Sequence, residues 1–167
     1  VFAIDRAGLV GSDGETHQGI FDLSYLSSIP NMTIMAPKNK WELSDMLKFA
    51  VRYQGPIAIR YPRGEAYDGL EEYREPMVYG KSELIFEGEE TALLSVGSMV
   101  ETAVEVREKL KADKINATLV NARFIKPLDT KILDRLALKH KKIVTMEENV
   151  KNGGFGMAVS EYMQEYH

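Results

Sequence analysis

Asp5-Arg6-Ala7-Gly8-Leu9-Val10-Gly11-Ser12-Asp13-Gly14-Glu15-Thr16-His17-Gln18-Gly19 decides how the rest of the chain is read. Val1-Phe2-Ala3-Ile4 leads into it as an apolar run, the signature of a short buried strand. Four glycines, two aspartates, an arginine, a glutamate and a histidine then crowd into fifteen residues. Glycine at that density lets backbone approach backbone or ligand and allows positive φ. A loop leaving the carboxyl end of a buried strand is where open α/β sheets bind their ligands. Basic, acidic and imidazole groups thus stand where chemistry is ordinarily done.

Outward from the loop, apolar residues on one helical face of Ile20–Leu26 predict a short helix, and Met32–Ala36 a second buried strand. Asn39 with Glu42 three residues later has capping-box-like spacing and opens a helix through Trp41, Met46 and Val51, stopped by Gly55-Pro56. Ile57–Tyr61 is a third strand, ended by Pro62. Periodicity then vanishes from Gly64 to about Gly80, and this acidic, tyrosine-bearing stretch reads as an interdomain linker on a surface.

A second strand–helix alternation comes next. Thr91–Val96, Ile115–Val120 and Lys142–Glu148 are its strands. Ser98 with Glu101 forms a capping box ahead of one helix, and Asp129 caps another. Gly153-Gly154-Phe155-Gly156 turns into a closing amphipathic helix, without the spacing of a dinucleotide fingerprint. The alternation predicts an α/β fold of two separate parallel-sheet units with flanking helices. Their expected bounds are residues 1–64, a linker over 65–80, and 81–167.

With 167 residues, one domain or pieces of two are expected, and 44% hydrophobic content suffices for a core. A net charge of -4 without a lysine/arginine block argues against a nucleic-acid partner. The absence of cysteine excludes disulfides, thiolate metal sites and cysteine nucleophiles. No run reaches transmembrane length and no signal peptide opens the chain, so a cytoplasmic location is expected. Because Val1 already lies in a strand that needs earlier neighbours, the chain is expected to be a fragment of a longer protein.

Asp5-Arg6-Ala7-Gly8 with Asp13-Gly14-x-Thr16-His17-Gln18-Gly19 resembles the pyrimidine-binding domain of thiamine-diphosphate enzymes of the transketolase superfamily. Arg60-Tyr61-Pro62-Arg63-Gly64 directs the resemblance to the 1-deoxy-D-xylulose-5-phosphate synthase branch. Arg123-Phe124-Ile125-Lys126-Pro127-Leu128-Asp129, Glu147-Glu148-Asn149 and Gly153-Gly154-Phe155-Gly156 are similar to landmarks of that branch's C-terminal domain. The resemblance spans effectively the whole chain. It implies the end of the pyrimidine-binding domain succeeded by a truncated C-terminal domain.

Candidate site residues rest on chemistry and resemblance together. The imidazole of His17 suits proton relay, while a histidine taken alone at such a place more often structures a glycine-rich turn. Within the motif it is the candidate catalytic residue. Asp13 could accept from substrate hydroxyls, or simply form a turn before Gly14. Arg6 and Arg63 are fixed cations at the ends of two apolar strands, and a guanidinium fork suits a phosphate monoester. The resemblance makes Arg6, Asp13 and Arg63 substrate-binding residues; the alternative for the arginines is surface salt bridges. Arg60 is read as facing away from the site. Glu147, Glu148 and Asn149 are read as a solvated strand end, and His140, flanked by lysines, as surface.

By resemblance the parent enzyme joins pyruvate to glyceraldehyde 3-phosphate with loss of carbon dioxide, as a homodimer using thiamine diphosphate and magnesium. Cofactor and metal ligands are expected outside this chain, on the missing N-terminal part, so the fragment alone is expected to be inactive. Two alternatives remain: another transketolase-like enzyme, disfavoured by Arg60–Gly64, or a non-catalytic assembly module that kept the fold.

Overall fold

The central apolar runs of the sequence have become strands buried on both faces, which is why those runs are continuous rather than alternating. The computed structural model describes residues 1–167. In the first sheet β1 (Phe2–Ile4), β2 (Thr33–Met35) and β3 (Ile57–Arg60) are parallel, in the order β1-β3-β2. Helices α1 (Asp22–Ser27) and α2 (Lys40–Arg52) are the crossovers. In the second sheet β5 (Glu90–Ser95), β6 (Thr118–Asn121) and β8 (His140–Met146) are parallel. They are linked by α3 (Met99–Ala112) and α4 (Thr130–Lys139), and α5 (Phe155–Tyr166) closes the chain.

Each sheet also carries one antiparallel edge strand that periodicity did not reveal. β4 (Glu83–Phe86) pairs with β6, and β7 (Phe124–Lys126) pairs with β2. β7 belongs in sequence to the second alternation yet completes the first sheet. The two units are therefore not separate. Their side chains show the same thing: Ile34, Ala58, Leu94 and Val120 meet Leu23, Leu133, Phe155 and Val159 in one shared core. Met35, Ile57 and Ile59 point the opposite way onto Met46 and Ala50 of α2, and Leu93 and Leu119 onto Val100 and Ala103 of α3.

The stretch after Gly64 is not a free linker. Leu70 is buried against the α3 face of the second sheet, with Tyr67 and Tyr73 packed beside it. Asn39 caps α2 as expected, accepting from the Glu42 amide at 2.9 Å. The Glu42 side chain does not return to Asn39. It enters a buried ion cluster between the units. Lys38 Nζ lies 3.2 Å from Glu42 and 2.6 Å from Glu83. Arg123 lies 2.7 Å from each of the same two carboxylates, and Asn121 Nδ2 adds two contacts of 3.0 Å to Glu42. Two cations balance two anions, the condition under which buried charge is tolerated.

Two expected caps are also redirected. Ser98 is itself helical (φ -55, ψ -26) and makes no cap bond. Asp129 instead accepts from Lys81 Nζ and the Ser82 amide, both at 2.9 Å. His140 is buried rather than on the surface. Its Nδ1 is 3.2 Å from the Leu136 carbonyl and its Nε2 2.7 Å from the Thr118 hydroxyl. No helix is long and apolar enough to cross a membrane.

Candidate functional site

β1 and β3 run side by side with Ile4 opposite Arg60, so the segments beyond them leave from one edge of the sheet. The Tyr61 amide bonds Ile4, and the Ala7 amide bonds Tyr61, each at 3.0 Å. Arg6 and Arg63 are thereby brought within reach of each other, and both turn to Asp13. Arg6 Nε donates to Asp13 Oδ2 at 2.6 Å, and Arg63 Nη1 pairs with Asp13 Oδ1. The Asp13 side chain is only 9% exposed, against 33% for Arg6 and 49% for Arg63. A guanidinium has five N–H donors, so both arginines keep donors facing outward after serving Asp13 and Asp5. That is a cationic fork with a fixed spacing, set up for an anion of phosphate or carboxylate shape.

The loop is held from inside. Gly8 and Gly19 exchange two backbone bonds of 2.9 Å, and a Cβ on Gly19 would collide with the Arg6 carbonyl. Gln18 grips the span between them. Its Oε1 accepts from the Val10 amide at 2.5 Å, and its Nε2 donates to the carbonyls of Val10 and Gly14. Arg60, read from the sequence as facing away, is buried beneath the loop, with Nη2 2.5 Å from the Gly19 carbonyl and Nε 3.3 Å from Asp22. The sequence held the signal: a buried strand does not carry an arginine without a buried acid, and Asp22 is that acid. His17 stands apart on the exposed outer span, touching only the Thr16 hydroxyl through Nδ1 at 2.8 Å. It is not bonded to the Arg6–Asp13–Arg63 group.

A cleft of about 410 Å³ opens beside the fork, lined by Ala7, Val10, Gly11 and Arg63 from the first unit and by Ser98 and Glu148 from the second. A neighbouring hollow of about 300 Å³ shares Pro62, Gly64 and Ser98 with it. The turn after β8 is not the solvated strand end expected from sequence. Glu147 accepts the amides of Phe155 and Gly156 at 2.8 and 2.7 Å, where α5 begins. Asn149 accepts the Leu23 amide at 3.1 Å and donates to Ser24 Oγ at 2.9 Å. No three His, Asp or Glu side chains converge as a site for a metal ion.

Comparison with known proteins agrees with this architecture. The transketolase pyrimidine-binding domain family matches residues 1–68, and the transketolase C-terminal domain family matches residues 80–167. The 1-deoxy-D-xylulose-5-phosphate synthase of Lachnoclostridium phytofermentans is 59% identical over 166 residues, which is 99% of this chain and 27% of that protein. The synthase of Rippkaea orientalis is 49% identical over 169 residues, with the same coverage of both chains. This chain thus spans about a quarter of the length of the curated relatives it matches. Among solved structures, a split-gene transketolase in an inactive beta4 tetramer superposes with a TM-score of 0.89 at 29% identity, covering 99% of this chain and 53% of that one. Campylobacter jejuni transketolase shares the fold, with a TM-score of 0.70 at 20% identity over 98% of this chain and 31% of that one. The chain belongs to the transketolase family, on the branch of the 1-deoxy-D-xylulose-5-phosphate synthases.

Proposed function

We propose that this chain forms part of a thiamine-diphosphate-dependent synthase that joins pyruvate to D-glyceraldehyde 3-phosphate. The products are 1-deoxy-D-xylulose 5-phosphate and carbon dioxide, the first a precursor for isoprenoid and thiamine synthesis. The convergence of Arg6 and Arg63 on Asp13 at the shared edge of β1 and β3 carries the proposal. A phosphate monoester presents three oxygens, which match the outward donors of two guanidinium groups. Asp13 fixes the arginines and keeps their spacing before a ligand binds. His17, with Nδ1 turned to Thr16, keeps Nε2 for the oxygen of the acceptor aldehyde, where a proton must arrive as the new carbon–carbon bond forms.

Thiamine diphosphate supplies carbanion stabilisation after decarboxylation of pyruvate. The residues of this chain do not fit its diphosphate and magnesium: no acidic cluster for a cation exists, and both oxygens of Asp13 are taken by arginines. We assign those ligands to the part of the enzyme outside these residues. The domain bounds we propose are 1–64, 65–80 and 81–167, in a cytoplasmic homodimer.

Two measurements test the proposal. The purified 167-residue chain should show no turnover of pyruvate with glyceraldehyde 3-phosphate, whereas the complete enzyme that carries it should release carbon dioxide and form the pentulose phosphate. Turnover by the chain alone would overturn the assignment of the cofactor ligands. A complete enzyme that transfers a ketol group between sugar phosphates, and leaves pyruvate untouched, would reassign the reaction.

A further inference from the structure

The second unit contributes a carboxylate to the cleft, and its surroundings are specific. Glu148 accepts a hydrogen bond from the Ser98 hydroxyl through Oε2. Its carboxylate also lies against Gly8, whose φ of +78 already demands glycine, so closely that a Cβ there would overlap it. Gly8 is two residues from Arg6, which itself holds a positive φ of 59. The turn that presents Glu148 is not free to drift. Glu147 binds the first amides of α5, and Val150 N donates to the Ile20 carbonyl at 2.8 Å at the far end of the same loop. The loop is thus pinned at both ends by one turn of the second unit.

Placing a carboxylate beside an anion-binding fork costs affinity, because like charges repel. Ser98 offsets part of that cost by donating to one oxygen. A compensating role is geometric: the Arg6 turn adopts its left-handed course with Glu148 packed against Gly8. We propose that Glu148, oriented by Ser98, is a positioning residue that sets the Arg6 turn and through it the spacing of the Arg6–Arg63 fork for the substrate phosphate. This rests on the functional reading above and extends it to the second unit, which otherwise has no side chain at the site.

The test compares phosphorylated and unphosphorylated acceptor in the complete enzyme, taking the ratio of kcat/KM for glyceraldehyde 3-phosphate to that for glyceraldehyde. A general loss of structure lowers both and leaves the ratio alone. Glu148→Ala should lower the ratio about tenfold, mainly through the KM of the phosphorylated aldehyde, since misplacement by a fraction of an ångström is enough to weaken a preorganised contact. Ser98→Ala, a small change that keeps the fold, should lower it about threefold. Glu148→Gln keeps the shape and the acceptor while removing the repulsion, so its KM for the phosphorylated aldehyde should equal or fall below that of the parent enzyme. Arg63→Ala is the control for the underlying reading. If Arg63→Ala collapses the ratio while Glu148→Ala and Ser98→Ala leave it unchanged, the positioning role is wrong. If Arg63→Ala leaves the ratio unchanged, the phosphate fork itself is wrong.

Discussion

At the scale of single residues, the site is a problem of charge placement. Asp13 is nearly buried and satisfied by two arginines that are not, so the pair of cations is ordered before any ligand arrives. Removing one of them should therefore act on binding more than on folding. In the complete enzyme Arg63→Ala should raise the KM for glyceraldehyde 3-phosphate, because a lost charge-assisted contact is worth about 1.5–3 kcal/mol, or about ten- to a hundredfold. Pyruvate decarboxylation should change less, and steady-state kinetics with each substrate varied in turn would separate the two; an unchanged aldehyde KM and kcat/KM would make Arg63 structural. His140 is a residue whose charge matters to folding instead. Burial pushes its pKa down, helped by Lys139 and Arg135 and opposed by the Leu136 carbonyl. Folded His140 thus binds a proton less readily than unfolded, so its contribution is present above the ordinary value of 6.5 and is lost as pH falls below it. Urea midpoints measured across that range should fall on acidification, and His140→Gln should flatten the slope.

At the scale of elements, local periodicity made the parallel strands and their helices legible in the sequence. Apolar runs placed them, and Asn39 caps α2 as its spacing requires. The two arginines could be placed together because parallel neighbours share a carboxyl edge. β4 and β7 were hidden, because each is short and owes its extended form to a partner distant in sequence. The caps at Ser98 and Asp129 misled for a related reason. Their side chains had better partners across the molecule, in Glu148 and in Lys81 with Ser82, than on their own helices. Glu42 is the extreme case: a residue chosen by spacing as a capping partner anchors a buried cluster that local sequence cannot foresee. Arg123→Ala would leave Glu42 and Glu83 short of their main counter-charge. Breaking a buried pair from one side costs about 3–5 kcal/mol. Guanidinium unfolding of the 167-residue chain should register a loss of that order, whereas a loss under about 1 kcal/mol would mean that water reaches the cluster.

At the scale of the whole molecule, the two family domains are one mechanical object. Ile34 and Ala58 of the first sheet share a core with Leu94 and Val120 of the second. β7 crosses from one alternation to the other sheet, and the Lys38–Glu42–Glu83–Arg123 cluster lies between them. Units joined only by a linker would melt independently; units that share a core should not. The only tryptophan, Trp41, sits on α2 of the first unit. Phe155 lies in the second unit, at the start of α5, and is 1% exposed within the shared core. Phe155→Ala removes a large buried ring far from Trp41 in sequence, at a cost of about 3–5 kcal/mol. If the molecule unfolds as one body, this substitution should shift the Trp41 fluorescence midpoint by as much as it shifts the loss of helix tracked by far-ultraviolet circular dichroism. Two separable transitions, with the Trp41 midpoint unmoved, would show instead that the shared core does not couple the units. The bracing of the Arg6 loop by Glu148 depends on the same coupling, because a second unit free to detach could not hold the fork at a fixed spacing.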